Sequence, residues 1–226
     1  MKVKKDKMNP IIKKGVRVLT PKEYQKLYDA VPKQDYKLML SALLHTGMRY
    51  AEFRRFQQHP EWFNGTNIRL PEGQGEKKVV KVQKKSKYTQ EQINQLIKVL
   101  GKKKAIQMTT PRKDKKHQGR TIILSPVGIS KVDSFVNYCK TPLPIGQTWK
   151  DNLKRWCLKG DISTDNISVK TTRKTLACWL LALYPDKTTI ITASLGHTST
   201  TALKYYIDIG FKDYTEGIKQ HLSGWI

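Results

Sequence analysis

The stretch SVKTTRKTLACWLLALYP, Ser168 to Pro185, constrains the fold more than any other. Leu176, Ala177, Leu180, Leu181 and Leu183 recur at helical spacing as a wide apolar face, and Pro185 ends the run. A face that wide needs cover from other elements.

The covering elements are legible on both sides of it. In LTPKEYQKLYDAVP, Thr20 caps a helix, Pro21 suits its first turn and Glu23 completes a capping box. Tyr24, Leu27, Tyr28 and Val31 share one face, and Pro32 stops it. A second helix is predicted from about Asp35 to His45, with Leu38, Met39, Ala42 and Leu43 as its stripe; Gly47 breaks it and MRYAEFRRF starts another. Residues 126 to 140 and 147 to 158 read as helices. After Pro185, DKTTIITASLG reads as a helix capped by Asp186 and ended by Gly196. TSTTALKYYIDIG is a further short helix, and the tail FKDYTEGIKQHLSGWI is amphipathic.

Between Trp62 and about Leu124 the pattern changes to short β-rich runs: NIRLP, KKVVKV, AIQMTT and RTIILS. A helical segment, QEQINQLIKVLGKKK, interrupts them. TTPRKDKKHQGR reads as a long basic hairpin turn. The expected fold class is α+β, mainly α-helical, with a small antiparallel sheet inserted early. Residues 1–17 are expected to be a basic N-terminal arm and residues 18–226 one domain ending in a helical tail.

Charge narrows the partners. Lys and Arg number 43 against 18 Asp and Glu, a formal net charge of +25. A polyanion is the natural partner of such a surface, and nucleic acid is the commonest. No apolar run reaches the length of a membrane-spanning helix, and the basic start has too short an apolar stretch for a signal peptide. Cys139, Cys157 and Cys178 are unclustered and odd in number, as expected of reduced thiols in an intracellular, cytoplasmic protein. Zinc-ligand spacing, a P-loop and a dinucleotide fingerprint are all missing, so no cofactor is expected.

Four side chains sit at structural punctuation rather than in open charge runs. Arg49 follows Gly47 at a helix start. Arg173 stands at the head of an otherwise apolar helix. His197 follows the helix-ending Gly196, and Tyr206 lies nine residues beyond it. Two guanidiniums with fixed fork geometry suit the two non-bridging oxygens of one phosphate.

Taken together and in order, these segments resemble the tyrosine recombinases, or phage-type integrases, from residue 18 to about 215. LTPKEYQKL resembles the usual opening of their catalytic domain. TGMRYAE resembles the box in which an arginine is followed three residues later by an acid. VKTTRKTLA resembles the H-x-x-R box, and LGHTSTTALKYY the box running from L-G-H to the nucleophilic tyrosine.

The resemblance implies a DNA breaking-rejoining fold and a set of roles. Arg49 and Arg173 would clamp the scissile phosphate, and His197 would donate to it. Tyr206 would be the nucleophile, with Tyr205 in reserve. A general-acid lysine belongs in the turn before an R-x-(apolar)-x-L strand, which RTIILS matches. Spacing favours Lys115 over Lys113 and Lys116, and Lys84, Lys85 and Lys87 stay open. The first position of H-x-x-R holds Lys170, a positive donor but a poor base at neutral pH. A lysine there is similar to integrases of archaeal spindle-shaped viruses and points toward an archaeal viral or plasmid integrase.

The implied partner is double-stranded DNA, bound by a homotetramer during synapsis and by a monomer or dimer when free, without metal or ATP. The N-terminal core-binding domain usual in such enzymes is expected to be absent, leaving a fragment or a reduced enzyme. The tail is expected to pack on a neighbouring protomer. Two rivals remain: a type IB topoisomerase with related tyrosine chemistry, and a DNA-binding integrase remnant that has lost catalysis.

Overall fold

The computed structural model describes residues 10–72, 89–101, 119–196 and 211–225. Two strands, β1 (Ile12–Lys13) and β2 (Val16–Arg17), pair antiparallel across a Lys14-Gly15 turn in which both residues have positive φ. The end of the basic arm is thus a hairpin. Arg17 is buried and ion-paired with Glu23.

The helices α1 (Pro21–Ala30), α2 (Gln34–Thr46) and α3 (Tyr50–Gln58) follow closely. Helix α1 carries the expected capping box: Glu23 N–H donates to Thr20 Oγ1 at 3.2 Å, and Thr20 N–H to Glu23 Oε2 at 2.8 Å. Helix α2 is buried well beyond its expected stripe. Every residue from Leu38 to Thr46 is buried, so its surface is covered all round, as in the centre of a larger core.

The expected middle is present in part. Strand β3 (Asn67–Leu70) pairs antiparallel with β4 (Arg120–Ile123), Leu70 opposite Arg120 and Asn67 opposite Ile123. Helix α4 (Gln90–Leu100) lies in the expected insertion, with Thr89 and Gln92 forming its capping box. KKVVKV, all but the end of AIQMTT's basic neighbour TTPRKDKKHQGR, and AIQMTT itself lie outside the described residues.

Helices α5 (Pro126–Tyr138), α6 (Gly146–Lys159), α7 (Thr171–Leu183), α8 (Thr188–Leu195) and α9 (Thr215–Leu222) are the remaining α-helices among the described residues. Helix α2 packs against α5 and α7, and α1 against α6. Helix α7 buries Leu176, Ala177, Cys178, Trp179, Leu180 and Leu181. The segment before α1 is tied to it: Leu19 N–H donates to Thr175 Oγ1 at 3.0 Å, and Trp179 Nε1 to Leu19 O at 2.9 Å.

One expectation needs adjustment. Asp186 does not cap α8; it sits in a 3-10 turn, Pro185–Lys187, and the cap position is Lys187, which makes no side-chain cap bond. The tail helix α9 packs on its own chain's α1, α5 and α7. Ile218, Leu222 and Trp225 are buried there, and Trp225 Nε1 donates to Ile123 O at 2.9 Å. The three cysteines are free, and burial pushes the Cys157 and Cys178 thiols up to about 12.

Candidate active site

The two buried helices α2 and α7 meet where the candidate residues lie. Helix α2 ends at Gly47 in left-handed backbone, φ 56° and ψ 20°. A Cβ there would stand 2.6 Å from Leu195 Cδ2 and 2.7 Å from Leu176 Cδ2. Glycine therefore serves twice, allowing the turn and letting the end of α8 approach. Arg49 follows two residues on, at the N-cap position of α3.

The end of α8 is the focus. The last carbonyls of a helix have no partner within it and form the negative end of its dipole. Here three successive ones each receive a guanidinium from a different element. Arg120 Nε, from β4, donates to Ser194 O at 3.1 Å. Arg173 Nη2, from the first turn of α7, donates to Leu195 O. Arg49 Nη2 donates to Gly196 O at 3.3 Å. Arg173 also donates through Nη1 to Gly47 O at 2.7 Å, which fixes the plane of its fork.

Gly196 ends α8 with φ 64° and ψ 44°. A Cβ there would lie 3.0 Å from Arg120 Cδ and 3.1 Å from its Cζ. The chain runs directly from this collar of three arginines into residue 197. Ser194 Oγ also accepts the Ile123 N–H at 3.1 Å, so β4 and α8 are joined by side chain and backbone alike.

A buried carboxylate stands behind the collar. Glu52, 1 % exposed, accepts from Arg49 Nη1 at 2.6 Å and from Arg120 Nη1 at 3.0 Å through Oε1. Its Oε2 accepts from Arg120 Nη2 at 2.7 Å and from the Arg49 backbone N–H at 2.8 Å. Burial alone would raise its pKa; the hydrogen bond from Arg120 and the charges of Arg120 and Arg49 override that and hold it down at about 2. The acid three residues after Arg49 had its signal in the sequence, one helical turn along. The sequence marks Arg120 only as the first residue of a strand.

Lys170 sits at the head of α7, one turn before Arg173, and is exposed. Its N–H donates to Ser168 Oγ at 3.2 Å. The structure thus brings Arg49 and Arg173 together on adjacent carbonyls, with Lys170 on the helix that carries Arg173. His197, Tyr205, Tyr206, Lys113, Lys115, Lys116, Lys84, Lys85 and Lys87 lie outside the described residues. Among the described residues, no three His, Cys, Asp or Glu side chains are grouped to hold a metal ion. None of the described helices is long and apolar enough to cross a membrane.

A comparison with models of known families matches residues 17–212 to the family described as Phage integrase family. No curated protein matches the chain, and no solved structure does.

Proposed function

The chain belongs to the phage integrase family, and from that premise we propose that it cuts and rejoins double-stranded DNA at specific sites through a 3′-phosphotyrosine. The observation that carries the reading is the landing of Arg49 and Arg173 on the two carbonyls immediately before residue 197. Two fixed cations beside the chain leading to a histidine and a tyrosine suit one phosphate and one nucleophile.

In this mechanism Arg49 and Arg173 grip the non-bridging oxygens of the scissile phosphate, with His197 and Lys170 as further donors. A tyrosine hydroxyl is almost wholly protonated at neutral pH, and the same cations favour its anion. Tyr206 Oη attacks phosphorus as its proton passes to solvent water. The phosphorus–O5′ bond breaks, and the 5′ oxygen takes a proton from the general acid, assigned to Lys115. Charge accumulating on the phosphoryl oxygens is met by preorganised guanidiniums, each worth about 3 to 4 kcal/mol when it behaves like an oxyanion-hole donor. The phosphotyrosine keeps the energy of the broken ester, so a 5′ hydroxyl from a second strand reverses the step without metal or ATP.

Synapsis of two DNA partners in a homotetramer fits the same chemistry, as does an intracellular, cytoplasmic site of action. The reading is tested with a pool of nicked duplexes of randomised sequence, incubated without metal and run on a denaturing gel. A covalent protein–DNA band is expected. Arg49→Ala should reduce it about 100- to 1,000-fold, the cost of one lost oxyanion donor. An undiminished band in Arg49→Ala would overturn the assignment.

A further inference from the structure

Glu52 offers one negative charge to two guanidiniums, and it shares itself unequally. Arg120 spans both carboxylate oxygens, through Nη1 at 3.0 Å and Nη2 at 2.7 Å. The guanidinium of Arg49 touches only Oε1. Arg120 is the inner cation, 12 % exposed, and Arg49 the outer one at 25 %. Resting on the phosphate clamp proposed above, we infer that Arg120 is a positioning residue that occupies the Glu52 carboxylate so that the charge of Arg49 stays available to phosphate.

The charge balance carries the argument. One carboxylate between two guanidiniums leaves a net positive charge, and the part of it nearest solvent is Arg49. Without Arg120, a carboxylate 1 % exposed would have Arg49 as its remaining guanidinium partner. Attraction across so buried a contact is strong, and a bidentate Arg–carboxylate fork is the preferred geometry. Arg49 would turn inward and its charge would be cancelled where the phosphate needs it. Arg120 is itself fixed by a partner outside the acid: its Nε donates to Ser194 O at 3.1 Å, and a Cβ at the nearby Gly196 would stand 3.0 Å from its Cδ.

The test follows single-turnover cleavage of the same nicked-duplex pool by the full chain, with DNA binding and thermal melting measured beside it. Arg120→Met should slow cleavage about 10- to 100-fold, the scale of a misplaced catalytic group, with binding little changed. Adding Glu52→Gln to Arg120→Met removes the carboxylate charge that captures Arg49, so the double variant should cleave faster than Arg120→Met alone. A purely structural role for Arg120 predicts the reverse, since the double variant loses both halves of the pair. Arg120→Met cleaving like the unmodified chain, or a double variant no faster than the single, overturns the inference. If Arg120→Met fails to fold, Arg120→Lys decides: it keeps the charge without the fork. Near-normal cleavage supports the inference, and lost cleavage at normal melting overturns it. The unmodified chain separates the two levels: no covalent band from it removes the recombinase reading and this inference together.

Discussion

Arg173 Nη1 lies 2.7 Å from the carbonyl oxygen of Gly47, joining the last turn of α2 to the first turn of α7. The same guanidinium reaches Leu195 O at the end of α8. One side chain thus holds three helix ends in register, and it is buried while doing so.

Arg173→Lys keeps a charge but cannot hold both carbonyls in one plane. Leaving one buried acceptor unmet costs about 1 to 3 kcal/mol. Thermal melting should show a lowered but cooperative transition, and the covalent-band assay should show cleavage close to background. Cleavage at the unmodified rate would separate Arg173 from the chemistry.

Gly47→Ala places a methyl against Leu195 and Leu176 and forces a left-handed alanine. Gly15 shares the left-handed backbone but faces open space. Strain of the backbone alone costs about 1 to 2 kcal/mol, and overpacking adds about 1 to 3 kcal/mol more. Urea denaturation should therefore find Gly47→Ala clearly less stable than Gly15→Ala. Equal stabilities would mean that the α8 end moves aside freely.

Much of this arrangement was legible in the sequence because it is set by local chemistry. Thr20, Pro21 and Glu23 specify the start of α1 within four residues, and Gly47 and Gly196 mark helix ends that only left-handed backbone can close. The burial of α2 on every side was not legible. Its stripe of Leu38, Met39, Ala42 and Leu43 is that of a half-covered helix, and its further cover comes from α5 and α7, with His221 of α9 facing His45, all distant in sequence. The pairing of Glu52 with Arg120 was hidden for the same reason, since 68 residues separate its partners. Asp186 misled because its place before α8 is taken up by a 3-10 turn that local pattern does not distinguish from a cap.

His45 is 2 % exposed, and its ring centroid lies 5.8 Å from that of His221. Burial, then the charges of His221 and Lys131, lower its pKa from 6.5 to about 3. Burial and Lys131 lower that of His221 as well. Tyr24 and Trp179 complete the rings around His221. The unfolded chain binds these protons first, so stability is complete above about pH 6.5 and falls as pH drops toward 3. For His45 alone the loss between pH 7 and pH 5 is about 2 kcal/mol. Urea denaturation at the two pH values should show it, and His45→Leu should remove most of the difference. An unchanged difference in His45→Leu would place the titrating group elsewhere.

Trp225 is 3 % exposed and bonded to the backbone of β4, which also carries Arg120. Trp225→Ala should cost about 3 to 5 kcal/mol, as for other large buried aromatics. Removing residues 215–226 should therefore impair strand cleavage and recombination together. Recombination lost with cleavage intact would show instead that the tail serves a neighbouring protomer.

The most direct test of the central claim compares the unmodified chain, Tyr206→Phe and Tyr205→Phe on the nicked-duplex pool, without metal, by denaturing gel. A covalent band in the unmodified chain and in Tyr205→Phe, absent from Tyr206→Phe, is the predicted result. A band that survives in Tyr206→Phe, or none from the unmodified chain while DNA binding persists, contradicts the account.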